Sequence, residues 1–397
     1  MRKLLLFCSV LSISIVLQSG CVADTDSEPI SPVVTTPTMV NSNGSGYVNN
    51  YGTVPAHLIS SNTIWEDVFA DPSMVDYVVN THVIVSAGTL TIKPGVRIQF
   101  VNNKSLTANN GIISAIGTAS NPILLEGQTT TRGSWIGVST NRAGSTIQHA
   151  QIRHAITGIQ ATDNISVVNT TIEQCQNYGV QLLEGVFATD FSNNKIANCG
   201  IAMDIIIQAV SQINGSTQFI NNTQNYVQVH PNGSLEGNVM FNELSIPYLM
   251  QDDGNFVISK GASVNTSTCT FAPGVVVEFP PNQAITYMGG VSVKAIGTAS
   301  KKVVFRNKNG ALGRWKGLRI YGSNTNHQFE QCIFDGGGEM GSLAPAMVNF
   351  LASGNTSVTN SQFNNSAACA IYTSNPNSFT QYNNIFTAIA GGTNICQ

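Results

Sequence analysis

Between Ile147 and Val229 the apolar residues come in short bursts rather than in helical stripes. The segments "QIRHAITGI", "TIEQCQNYGV", "KIANCGI" and "QFINNTQNYV" align on Ile152, Ile172, Ile196 and Phe219, which lie 20, 24 and 23 residues apart. A helix needs apolar residues recurring at three and four over ten or more positions. These bursts are split by Asn, Gly and Ser, so the pattern predicts strand, turn, strand, turn. A coil of about 20 to 25 residues is too small to bury its own apolar side chains and is stable only with a neighbour above and below. The predicted fold is all-β, a parallel β-solenoid of roughly fifteen coils whose inward positions stack at about 4.8 Å.

A longer repeat contains the shorter one. "AIGTAS" stands at 115–120 and again at 295–300, and its flanks match: "IKPGVRIQF" answers "FAPGVVVEF", and "SWIGV" answers "RWKGL". Trp135 and Trp315 each lie 18 residues past Gly117 and Gly297, so order and spacing are both kept. The chain is therefore expected to hold two tandem copies of one unit, 58–234 and 235–397. The hexapeptide is read as a turn between strands, its glycine supplying the bend, and the two tryptophans as core or coil-edge packing.

Composition suits stacked coils. Hydrophobic residues make up 42% and charged residues only 10%, against roughly 25% charged in an average globular protein. The polar character comes from Asn, Gln, Ser and Thr, which stack on copies of themselves without like-charge repulsion. Net charge is −3 and the cations form no run or stripe, which excludes a nucleic-acid partner.

Residues 1–20, "MRKLLLFCSVLSISIVLQSG", combine Arg2 and Lys3 with an apolar run from Leu4 to Leu17 that is short for a membrane span, the pattern of an export signal. The ending "QSGC" resembles the lipobox of bacterial lipoproteins, which implies a lipid anchor on Cys21, contact with the membrane through that anchor alone, and, with Val22 and Ala23 following, the outer membrane or cell surface. Gln18 departs from the usual aliphatic residue of that motif. Residues 21–57 are rich in Ser, Thr, Pro and Asn and read as a flexible tether. Six cysteines follow Cys21 without the dense spacing of a disulfide scaffold or a metal knuckle. Cys175 and Cys199 each follow a leading isoleucine by three, so they are expected to stack as buried free thiols.

The run "GTLTIKPGVRIQF", "GIISAIGTASNPILLEG", "GSWIGV", "STIQHAQIRHAITGIQ" resembles the right-handed parallel β-helix proteins of bacterial cell surfaces, many of them lipoproteins. The likeness covers nearly the whole mature chain, with more departures after residue 234, such as Lys301 and Lys302 in place of Asn-Pro. It implies the handedness of the solenoid and surface display. It decides no chemistry, because the fold hosts lyases and hydrolases as well as adhesins.

Three groups of residues bear on chemistry. Asp163, Glu184 and Asp204 follow Ile159, Val180 and Ile201 by four, four and three positions, and are expected either to splay into solvent along one edge or to gather Ca²⁺. Arg153, His154 and Glu173 make the one compact base-like group, Arg153 and Glu173 being expected to pair across adjacent coils. Asp252, Asp253, Asp335 and Glu339 read as turn or loop residues. With no base and neutralising cation converging, the sequence points to a non-catalytic, surface-anchored β-helix presenting a polar face to glycan or a cell-surface partner. The second reading is a carbohydrate-active enzyme, a polysaccharide lyase or relative, working on an acidic polysaccharide.

Overall fold

The computed structural model describes residues 57–397 apart from 184–187, 232–233, 252–254, 263, 309–313, 323–324 and 339–345, together with an isolated antiparallel strand pair, Met39–Val40 with Val48–Asn49. From His57 onward the chain is a parallel β-helix. Each coil contributes one strand to a continuous sheet of 14 strands, from His57–Ile59 to Ile385–Thr387. The other two strands of each coil join parallel sheets of six or seven.

Stacking in register is what closes the core. On the long sheet the inward row runs Leu106, Val138, Ile159, Val180, Met203, Val227, Tyr248, Val277, Phe305, Phe334 and Phe363, each paired with the next. All are buried. Each contributes about 1.5–3 kcal/mol through burial that its own coil could not provide. Phe305, Phe334 and Phe363 stack face to face at 5.1 and 4.8 Å. Cys175 and Cys199 take adjacent inward positions and are free and buried.

The corners explain the asparagines. Asn169, Asn193, Asn198 and Asn221 turn the chain with φ of 51–55°, a left-handed conformation that Asn tolerates better than most residues. Inward-facing Asn194 and Asn222 serve the same corners from inside. Asn194 accepts from Thr170 N and donates to Val167 O, and Asn222 accepts from Cys199 N and donates to Ile196 O.

The two copies repeat at the level of single hydrogen bonds. Gly117 N donates to Gln148 O and Gly297 N to Glu330 O, both at 2.8 Å. Thr118 Oγ1 accepts from Asn121 N, and Thr298 Oγ1 from Lys301 N, both at 3.0 Å. Lys301 can replace Asn121 because the turn uses only its backbone; its ammonium pairs instead with Glu243. Phe100 stacks on Trp135 at 4.1 Å and Phe279 on Trp315 at 4.3 Å, and each indole donates to a carbonyl of the following coil, Arg153 O or Asp335 O. Both tryptophans are fully buried.

One expectation is corrected. Gly117 and Gly297 are not in the left-handed region, so backbone freedom is not what they supply. A Cβ on Gly117 would collide with the carbonyl oxygen of His149, and one on Gly297 would stand 2.6 Å from that of Gln331. The glycine is there because the next coil passes too close for a side chain.

The second copy is offset from the first by one sheet. Strands Arg97–Phe100 and Ile123–Gly127 lie in a seven-stranded sheet, but their counterparts Val276–Phe279 and Val303–Asn307 lie in the long sheet. The shift is absorbed where the short sheets change over, between Ala188–Ser192 and Val239–Phe241, with the 3₁₀ turn Ile207–Gln212 packed between them. Ser211 Oγ accepts from Met240 N, and Asn242 Nδ2 donates to Ile213 O, which supplies the partners a strand would have given.

Near the end of the chain a disulfide joins Cys369 to Cys396 across 27 residues and ties Ile395–Cys396 to Cys369–Thr373. Closing a loop of that length is worth about 3–4 kcal/mol on chain-entropy grounds.

His327, 1% exposed, occupies the position of Ser145 in the first copy. Ser145 Oγ accepts from Ile113 N, and His327 Nδ1 accepts from the equivalent Val293 N. Thr325 Oγ1 donates to Gly322 O, so the other ring nitrogen, 2.7 Å away, carries the proton and donates to Thr325. The ring is thus held neutral, and burial lowers its pKa to about 4.

Two predictions follow from this packing. Gly117→Val should destabilise the protein by about 1–3 kcal/mol through overpacking, measured as a lower denaturation midpoint; an unchanged midpoint would contradict the close approach. For His327, the folded pKa lies below the unfolded value of about 6.5, so its contribution is present above pH 6.5 and lost as pH falls toward 4. The loss is on the order of 3 kcal/mol, and His327→Ser should flatten that part of the stability–pH curve whatever it does to stability at pH 7.

Candidate functional site

The outward row of the long sheet runs Thr107, Ser139, Gln160, Gln181, Asp204, Gln228, Leu249, Glu278, Arg306, Asp335 and Asn364. An outward row should be wet, yet Asp204, Gln228, Leu249 and Glu278 are all buried. This part of the face is covered rather than open to solvent.

Its first half is an amide and carboxylate ladder. Gln160 Nε2 donates to Gln181 Oε1 and Gln181 Nε2 to Asp204 Oδ2, both at 2.8 Å. The other Asp204 oxygen stands 2.7 Å from His230 Nε2, and the Gln228 amide lies 2.8 Å from the same nitrogen. Asp204 is 3% exposed, so these contacts replace the water its carboxylate has lost. Two phenols face the same charge. Burial, and then the Asp204 carboxylate, raise the pKa of Tyr178; burial, then Tyr178 and Asp204, raise that of Tyr226, so both stay protonated hydroxyl donors.

The second half is ionic. Arg306 Nε and Nη2 both donate to Glu278 Oε1, at 3.1 and 2.8 Å. Asp335, next in the row, accepts from Asn365 Nδ2 at 2.8 Å. A cleft of about 490 Å³ opens above this stretch between Tyr226, Pro247, Glu278, Arg306 and Lys308. A second, of about 410 Å³, adjoins it between Arg306, Asn307, Arg314, Asp335 and Asn365. Arg306 lines both.

The ladder register revises the expected acidic column. Ile159 pairs with Val180 and Val180 with Met203, whereas Ile201 pairs with Tyr178. Asp204 therefore sits on the strand beside Gln181, and Ile207 stands four residues past the inward Met203 as Asp163 stands four past Ile159. The cause is a lead residue misplaced by two positions: Ile201 is half-buried, and Met203 is the inward residue. Asp163 accepts from its neighbour Asn164 N. Glu184 lies outside the described residues, as do Asp252, Asp253, Glu339 and Cys21.

Arg153 and Glu173 do meet across adjacent coils, Nε to Oε1 at 2.9 Å, on a partly exposed face. His154 is a corner residue, with φ of 64°, its ring buried and its carbonyl accepting from Ser134 N. Among the described residues no three His, Cys, Asp or Glu side chains gather as metal ligands. Asp335 closes a strand rather than lying in a loop, as its counterpart Arg153 does in the first copy. The Glu278–Arg306–Asp335 row was missed because its members lie in three separate strands, 28 and 29 residues apart. Its signal was present: these residues stand where Gln99, Glu126 and Arg153 stand in the first copy.

Compared with protein-family models, with curated proteins and with solved structures, the chain finds no match.

The ladder generates one prediction. Asp204→Ala strands Gln181 Nε2 without its acceptor and should lower stability by about 1–3 kcal/mol, whereas Asp163→Ala should leave it within about 0.5 kcal/mol. Equal effects in urea denaturation would contradict the placement of Asp204 in the buried outward row.

Proposed function

We propose that the protein is an exported, lipid-anchored β-helix that binds glycan in the clefts on its long sheet. The observation that carries this reading is the cleft on the long sheet lined by Gln224, Asn225, Tyr226, Glu278, Arg306 and Lys308. Amides and a carboxylate match sugar hydroxyls as both donors and acceptors, and a tyrosine offers an apolar edge with a polar tip. The disulfide between Cys369 and Cys396 supports export, since such bonds persist in oxidising compartments. Cys21 would carry the lipid after removal of residues 1–20.

Binding without turnover is favoured by the spacing of the carboxylates. Asp204 and Glu278 are three strand steps apart, about 14 Å at 4.8 Å per step, beyond the ~5–9.5 Å that glycoside hydrolysis uses; Glu278 and Asp335, two steps or about 10 Å apart, hold Arg306 between them. Glu278 is buried and held by Arg306, which removes it from proton-transfer duty.

Screening the purified protein against immobilised oligosaccharides should give saturable binding that Tyr226→Ala weakens about tenfold, with no reducing ends or unsaturated products released. Cleavage of any bound glycan would install the enzyme instead. Detergent partition of a Cys21→Ser variant tests the anchor separately.

A further inference from the structure

We propose that the two clefts meeting at Arg306 form one subsite for an anionic group on the bound glycan, a carboxylate or a sulfate, held by Lys308 and Arg314 on either side of Arg306. The proposal rests on the glycan reading above and names the class of sugar.

Three cations, Arg306, Lys308 and Arg314, fall within nine residues of a chain that has 18 Lys and Arg in 397 and a net charge of −3. The clefts bring them together. Arg306 is already engaged by Glu278, but among the described residues the other two meet no carboxylate. Lys308 lies 4.9 Å from the centre of the Tyr226 ring, and among the described residues its ammonium meets neither a carboxylate nor a hydrogen-bond acceptor. Arg314 Nη1 donates to a neutral carbonyl, Asn365 O. Asp335, the second carboxylate of the pair of clefts, gives its Oδ1 to an amide, Asn365 Nδ2. Lys308, half-buried, and Arg314, exposed, thus face clefts whose two carboxylates, Glu278 and Asp335, are already engaged by Arg306 and Asn365, which leaves both cations available to a ligand charge.

The fold does not require these cations. The same segment of the first copy, closing the same coil onto the same Phe–Trp stack, has Glu126, Gln128 and Ser134 in their places. There Glu126 is satisfied by Arg97 within the sheet. What the second copy adds is therefore free to serve a ligand.

The test is calorimetric titration of the purified protein with three probes: a uronate oligosaccharide, the same oligosaccharide with its carboxyls reduced to alcohols, and a sulfated oligosaccharide. At least one anionic probe should bind about tenfold or more tightly than the reduced one, the worth of one charge-assisted contact, and that advantage should shrink with added salt. Lys308→Met and Arg314→Gln should each remove most of the advantage and leave the reduced probe unaffected, while Lys308→Arg keeps it. Should Arg314→Gln fail to fold, the two Lys308 variants carry the test alone. Which anionic probe wins distinguishes carboxylate from sulfate. Equal affinity for charged and reduced probes, or an advantage that survives Lys308→Met, overturns the subsite while leaving the glycan reading intact; if no probe binds, both fall.

Discussion

No coil of this chain can bury its own apolar face, so every element depends on one constraint, the in-register stacking of parallel strands. A one-residue slip would turn a whole row from core to surface. The chain resists slippage by placing register markers at the corners: left-handed asparagines, inward Asn194 and Asn222 that reach back to the previous coil, and glycines where the next coil comes too near for a Cβ. These are local signals with long-range effect. They fix which residue lies above which, and so also which polar side chains share an outward row.

Stacking makes function cheap to vary on this fold, because an outward row can change its chemistry without disturbing the inward one. The two copies show this side by side. Phe100–Trp135 and Phe279–Trp315 have nearly the same geometry, and so do the two Ala-Ile-Gly-Thr turns. The outward positions of the same strands have meanwhile changed from Gln99, Glu126 and Arg153 to Glu278, Arg306 and Asp335. The single-sheet offset then places the altered row on the long sheet, in line with Asp204 and Gln228. The continuous outward row is a product of both events.

This division also explains what could be read from the sequence. Period, strand character, duplication, the Arg153–Glu173 pair and the buried thiols were legible, since each depends on spacing within or between neighbouring coils. Asp204 was seen but put in the wrong row, because "NCGI" offers Ile201 as a lead two positions before Met203, and only the ladder tells them apart. Glu278 and Arg306 were invisible as a site. In sequence they are 28 residues apart in separate strands, and their alignment with Asp204 depends on the offset that the 3₁₀ turn at Ile207–Gln212 absorbs. Nothing in the periodicity of either copy reports a rotation between the copies.

His327 shows how to separate a structural from a functional polar residue in such a chain. A buried histidine beside an open polar cleft invites a catalytic reading, yet its counterpart Ser145 accepts the same backbone N–H from the preceding coil. The duty is common to both copies, so it belongs to the fold. Lys308 and Arg314 fail that comparison: Gln128 and Ser134 stand in their places, and the coil closes equally well. In a duplicated solenoid each copy is a control for the other. A polar residue whose contacts recur in both is accounted for by packing, and one that recurs in neither its identity nor its contacts is where a ligand should be sought.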